Sequence, residues 1–130
     1  MDPCCSPKPA LTQRPLIAPA LAGRLADLFK VLANDTRLRM LHALARQGEL
    51  AVTALAAAVG MKTAAVSNQL QQLALRGIVK SRREGNTVFY RICDPCALEL
   101  LDRGLCLTED AAAAAHAHEP AAPELLAAAR

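Results

Sequence analysis

Two β-favouring runs, Ile78 to Arg83 and Thr87 to Ile92, are separated only by Glu84-Gly85-Asn86, a Gly/Asn turn signal that predicts one hairpin. Everything ahead of it has helical periodicity. Pro19 can open a first helix in which Leu21, Leu25, Leu28 and Leu32 recur at helical spacing. Asn34 or Asp35 offers the N-cap of a second, with Leu38, Leu41, Leu44 and Ala45 along one face and an end near Gly48. A short third helix follows Thr53, carries Leu55 and Val59, and stops at Gly60. Thr63 is a cap for a fourth, with Val66, Leu70, Leu73 and Gly77 on its inner side. After the hairpin, Asp94-Pro95 reads as an N-cap with proline at the first helical position, so a fifth helix should run to about Arg103, with Gly104 as its stop. Four helices, a basic hairpin and a closing helix form a mainly α chain with the pattern of a winged helix-turn-helix. The short third helix, the turn at Gly60-Met61-Lys62 and the fourth helix make the helix-turn-helix, and the hairpin makes the wing. The competing architecture is a small helical bundle with an incidental hairpin.

The chain of 130 residues has one domain's worth of core. Two phenylalanines, one tyrosine and no tryptophan leave that core to Leu, Val, Ile and Ala, a thin interior to which dimerisation would add buried area. Residues 1–18 hold four prolines and read as an arm, residues 19–107 as the folded domain, and residues 108–130 as an Ala-rich low-complexity tail on which no fold is forced. No apolar run is long enough to span a membrane, and the first residues lack the basic and apolar regions of a secretory leader, so a cytoplasmic protein is expected. Thiols stay reduced there, so the five cysteines point to metal or redox chemistry more than to structural disulfides.

Net charge is only +3, but from Lys62 to Arg91 six basic residues face one acid, Glu84, giving this segment +5. That is the electrostatic footprint of a polyanion-binding face. On the fourth helix the side opposite Val66, Leu70 and Leu73 carries Ala64, Asn68, Gln71, Gln72 and Leu75, with Thr63 and Ser67 on its flank and Lys62 just ahead. Short amide and hydroxyl side chains near a helix N-terminus can reach base edges in a major groove, and the helix end favours a phosphate. In the wing, Arg82 and Arg83 can follow a phosphate backbone or enter a minor groove, with Asn86 and Thr87 as neutral donors. A solvated helix face and ordinary solubilising charge are the plain alternatives. No aromatic cluster offers stacking for single strands, so duplex DNA is the expected partner.

The run LFKVLANDTRLRMLHAL (Leu28 to Leu44), the segment ELAVTALAAAVGMKTAAVSNQLQQLALRGIV (Glu49 to Val79) and the wing SRREGNTVFYRI (Ser81 to Ile92) resemble the ArsR/SmtB family of metal-responsive repressors. The resemblance covers about Leu25 to Arg103. It implies a homodimer formed through the first and fifth helices, which represses a detoxification operon until an inducer binds, and it makes the fourth helix the recognition helix. The chain departs from the commoner family pattern at Lys62-Thr63-Ala64, where a Ser-Gln-Ser-like triplet is usual. It departs again at the third helix, where many members carry a Cys-Val-Cys metal motif and this chain has Ala51 and Thr53.

The family's other site pairs the two fifth helices, with an Asp-x-His from one subunit. Asp94-Pro95-Cys96 falls there, replacing imidazole with a softer ligand. The stretch Cys93-Asp94-Pro95-Cys96 by itself admits a disulfide pair, half of a metal site, or two small apolar fillers. Cys96 and Cys106 lie ten residues apart, about 15 Å along a continuous helix. That is too far to share one ion within a subunit when metal–sulfur bonds run about 2.3 Å. Across an antiparallel pair of helices, Cys106 of one protomer could meet Cys93 and Cys96 of the other, giving two symmetric three-thiolate sites. Such sites select soft guests: cadmium, lead, mercury or arsenite as inducer, rather than magnesium or calcium. Cys4 and Cys5 on the arm are further candidate ligands, against the plain reading of an exposed terminus. A thiol redox or persulfide switch on the same fold is the rival. A thiol enzyme would need a histidine beside its cysteine; His42 is expected to be packed inside the second helix, and His116 and His118 lie in the tail, so no enzyme is expected. A constitutive nucleoid-type DNA binder also remains open.

Overall fold

The structure, a computed structural model, describes residues 8–117. Cys4 and Cys5, and the side chains of His116 and His118, lie outside the described residues. After a single 3-10 turn at Leu11–Gln13 the order is α1 (Pro19–Leu32), α2 (Asp35–Gln47), β1 (Leu50–Ala51), α3 (Val52–Val59), α4 (Thr63–Leu75), β2 (Val79–Glu84), β3 (Thr87–Ile92) and α5 (Pro95–Ala117). The winged helix-turn-helix expected from the periodicity is present. The chain divides into two compact units, residues 1–98 and residues 99–130.

In the first unit, α3 packs on both α2 and α4, and the hairpin packs behind them. Met40, Leu44, Leu55, Val66, Leu70, Leu73 and Val79 are fully buried. Each such side chain contributes about 1.5–3 kcal/mol by leaving water. Asn34 caps α2 by accepting the Arg37 amide at 3.0 Å. The Arg37 guanidinium then donates to Val31 O at 2.9 Å and to Gln69 Oε1, tying the end of α1 to α4. Gly60 ends α3 at φ +70, a left-handed conformation that costs a residue with a Cβ but not glycine.

The sheet is antiparallel with order β1-β3-β2, so the hairpin is flanked by a third, two-residue strand. Leu50 pairs with Tyr90 and Ala51 with Phe89, while β2 and β3 pair from Val79 with Ile92 to Glu84 with Thr87 around the Gly85 turn.

Four local expectations are corrected. Lys62, not Thr63, is the N-cap of α4, and it makes no side-chain cap bond. On α2 the buried stripe is Met40, Leu41 and Leu44; Leu38 and Ala45 are exposed. His42 is exposed rather than packed, because it faces away from that stripe. The fifth helix does not stop at Gly104 but continues to Ala117. Glycine inside a helix costs only about 1 kcal/mol relative to alanine, and the alanines that follow have the best helix propensity, so the chain runs on. Thr108 Oγ1 donates to Gly104 O at 2.8 Å across that turn.

Candidate nucleic-acid interface

The first turns of α4 and the wing flank an open groove of about 720 Å³. Thr63, Ala64, Ser67 and Gln71 line it from α4, and Ser81, Arg82, Arg83, Asn86, Thr87, Val88 and Tyr90 from the wing; Val52 and Thr53 complete one end. The structure thus gathers six residues of the expected interface, Thr63, Ser67, Gln71, Arg82, Arg83 and Asn86. Lys62, Asn68 and Gln72 are exposed outside the groove lining. Val66, Leu70 and Leu73 are all 0% exposed, so the polar side of α4 is held outward by the packing of its other side. Thr53 and Tyr90 were not foreseen as groove residues. Thr53 enters because α3 starts at Val52 and so includes Thr53, and Tyr90 because its position on β3 faces the helices.

Arg82 is not an open cation. Its Nε donates to Glu49 Oε1 at 3.0 Å and Oε2 at 2.9 Å, its Nη2 to Glu49 Oε1 at 2.7 Å, and its Nη1 to Glu84 Oε2 at 2.7 Å. The guanidinium also lies over the Phe89 ring, 4.5 Å from its centroid. The hydrogen bonds from Arg82 hold the Glu49 carboxyl below its ordinary value, with the charges of Arg82 and Arg91 adding to the effect, and the two carboxylates push Arg82 upward. Two acids therefore offset one of the wing's positive charges. No local spacing pairs residues 49 and 82 in sequence.

The cysteines fall into two environments. Cys93 is buried, 3% exposed, and its thiol donates to Gly77 O at 3.0 Å, with Ile78 O at 3.7 Å. Its amide donates to Ile78 O at 3.1 Å. In this conformation Cys93 is a packing residue as well as a candidate ligand. Cys96 is exposed in the first turn of α5, where Asp94 Oδ1 accepts its amide at 2.9 Å, the cap that Asp94-Pro95 predicts. Cys106 is exposed, with Sγ 3.7 Å from Asp110 Oδ2. Among the described residues of one chain, no three His, Cys, Asp or Glu side chains are grouped so as to hold a metal ion.

A helix-turn-helix domain family matches residues 32–82. The crystal structure of the AntR antimony-specific transcriptional repressor is similar at 64% sequence identity and TM-score 0.71, over 82% of this chain and 96% of that one. A solution structure of a homodimeric winged helix-turn-helix DNA-binding domain from Mycobacterium bovis, described as a possible ArsR-family regulator, is similar at 40% identity and TM-score 0.64, over 70% and 83% of the two chains. The chain belongs to the ArsR/SmtB family of transcriptional regulators. A transcriptional repressor SmtB homolog from Synechocystis sp. is 44% identical over 79 residues, 61% of this chain and 59% of that protein. The ArsR/SmtB relatives are DNA-binding regulators, not enzymes. In this winged helix-turn-helix, α3 and α4 form the helix-turn-helix and the β2–β3 hairpin is the wing. Among the described residues no helix is long and apolar enough to cross a membrane.

Proposed function

We propose that this chain is a dimeric repressor that leaves its operator DNA when a thiophilic metalloid binds cysteines at the start of α5. The observation that carries the reading is the 64% identity to an antimony-specific repressor over 96% of that chain. A trivalent metalloid takes three soft ligands. The described residues of one protomer do not group three donors, so a three-sulfur site would draw on two protomers: Cys93 and Cys96 of one and Cys106 of the other, with Cys4 and Cys5 as further sulfur on the arm. A second copy also answers a packing problem. α1 buries no residue of its own, and Leu21, Leu25 and Phe29, spaced four apart on one stripe, are 38%, 42% and 47% exposed. An isolated helix of this length is marginal in water without such cover.

DNA is read by Thr63, Ser67, Asn68, Gln71 and Gln72 from α4, with Lys62, Arg83 and Asn86 on phosphates. Bound metalloid releases DNA because it favours a dimer geometry that does not fit the duplex. The test is to titrate the reduced protein with antimonite, arsenite, cadmium and lead while following thiolate-to-metal absorption, with operator binding measured in parallel by fluorescence anisotropy. Antimonite or arsenite should bind at two equivalents per dimer and abolish DNA binding over the same range. DNA release by oxidant or persulfide, with none of the metals having any effect, would replace this reading with a thiol redox switch.

A further inference from the structure

Side chains on the wing alternate between two faces. Ser81 pairs with the buried Tyr90, so Ser81 and Arg83 belong to the face that looks toward α4. Lys80, Arg82 and Glu84 belong to the opposite face, where Arg82 pairs with Phe89 and Phe89 with Ala51. Glu49, two residues ahead of Ala51, reaches the same outer face. Because β3 lies between β1 and β2, the contact from Glu49 to Arg82 crosses two strand spacings, about 10 Å, directly above the Phe89 ring. All three guanidinium nitrogens are engaged by carboxylates and the flat face by an aromatic ring. Although Arg82 borders the groove, a phosphate could claim its guanidinium only by displacing Glu49 and Glu84 together. Arg83 has neither restraint: among the described residues the ion pairs involve Arg82 alone.

We infer that Glu49 and Arg82 form a brace that positions the wing for DNA, and that Arg83, not Arg82, is the wing's phosphate contact. Glu49 is a positioning residue: it fixes β2 to β1 at the base of α3, and thereby sets the distance between the hairpin and the recognition helix. The inference rests on DNA binding by the winged fold and not on which ion ends it.

The salt dependence of binding separates a brace from a contact, since each neutralised phosphate adds about 0.9 to the slope of log affinity against log salt, whereas a positioning residue adds nothing. The probe is a fluorescent duplex selected by the wild-type protein from a random-sequence pool. Glu49→Ala and Arg82→Ala should each weaken binding by a similar factor, on the order of threefold per wing, the scale of one exposed ion pair. Their salt slopes should match wild type, and the double variant should be no worse than either single one. The charge-exchanged pair E49R/R82E should recover affinity, while Arg83→Ala should lower the slope by about one per wing. Glu49→Gln, which keeps size and a polar head, serves if the alanine variant does not fold. A lowered salt slope in Arg82→Ala, additive losses in the double variant, or tighter binding in either Glu49 variant as Arg82 is freed, overturns the proposal.

Discussion

Cys93 offers a prediction in which packing and ligation pull on the same atom. Replacing it by alanine removes one buried sulfur, worth about 1 kcal/mol by analogy with a methylene. It also removes the thiol donor 3.0 Å from Gly77 O. A thiol is a weak donor and Gly77 is exposed, so water can replace the lost bond and the total cost should be about 1–2 kcal/mol. In a unit of about 100 residues this lowers Tm by roughly 5–15 °C. Cys93→Ser, which keeps a donor for Gly77, should lose less. The opposing quantity is the ligand energy. Structural thiolate-rich zinc sites are worth about 10–16 kcal/mol, so one of three sulfurs supplies on the order of 3–5 kcal/mol. That exceeds the burial cost, so a bound metalloid can draw Cys93 out of its pocket. Without Cys93 the inducer midpoint should therefore rise by at least about a hundredfold. Thermal melts at fixed protein concentration give the first number, and anisotropy of labelled operator against antimonite gives the second. A variant with the expected Tm loss and an unmoved inducer midpoint would show that Cys93 is packing alone and that the third sulfur lies elsewhere.

Three further outcomes follow from single contacts. Asn34→Ala removes the side-chain acceptor for the Arg37 amide and should cost about 1 kcal/mol, seen as a Tm drop of roughly 4–8 °C with DNA specificity intact. Leu25→Glu places a charge in the centre of the α1 stripe and should convert the dimer to monomer by sedimentation, with operator affinity lost and helical content of residues 35–92 kept. The Glu49 carboxyl is held below its ordinary value of 4.5 by Arg82, so its contribution is present above that value and is lost only as pH falls through the depressed one. The Arg82 Nε chemical shift should accordingly stay constant from neutral pH down to the ordinary glutamate range and move only below it; a shift already complete near pH 6 would contradict the pairing.

The parts of the fold that repeat with a fixed period were legible in the amino-acid sequence. Val66, Leu70 and Leu73 recur at helical spacing and are the most buried stripe of α4, and Thr87 to Ile92 is rich in the β-branched and aromatic residues that strands favour. Local chemistry was legible too, as in the Asp94 cap and the Gly85 turn. What escaped has no local signature. β1 is two residues long and exists because Leu50 and Ala51 find Tyr90 and Phe89 some forty positions later. Glycine at position 104 resembles a helix stop, yet neighbouring propensity outweighs it. The Arg82–Glu49 pair reverses the plain reading of a basic wing residue, and only the register of the three strands brings the two together. The position of Cys93 at the start of the fifth helix was readable, but its burial depends on the carbonyls of the segment between α4 and β2.

In the proposed mechanism that segment links Cys93, just ahead of α5, to the wing. Gly77, with φ +74, and Ile78 join the end of α4 to the first wing strand, and the Ile78 amide is bonded back to Leu73 O at 3.1 Å. Cys93 touches both residues, through its thiol to Gly77 and its amide to Ile78. In the proposed mechanism the sulfur that a metalloid captures is therefore the one that holds this joint. In that mechanism the Cys93 thiol would give up its proton as an oxygen ligand of the metalloid leaves as water, and a metal–sulfur bond would replace the thiol–carbonyl contact at the base of the hairpin, six residues from its turn. To move operator occupancy from nearly complete to nearly none, the ion must favour the non-binding geometry by about 5.5 kcal/mol. In the proposed mechanism a three-sulfur site has energy on that scale to give, whereas the weak thiol bond it replaces does not, so the metalloid would set the joint and the joint would set the wing.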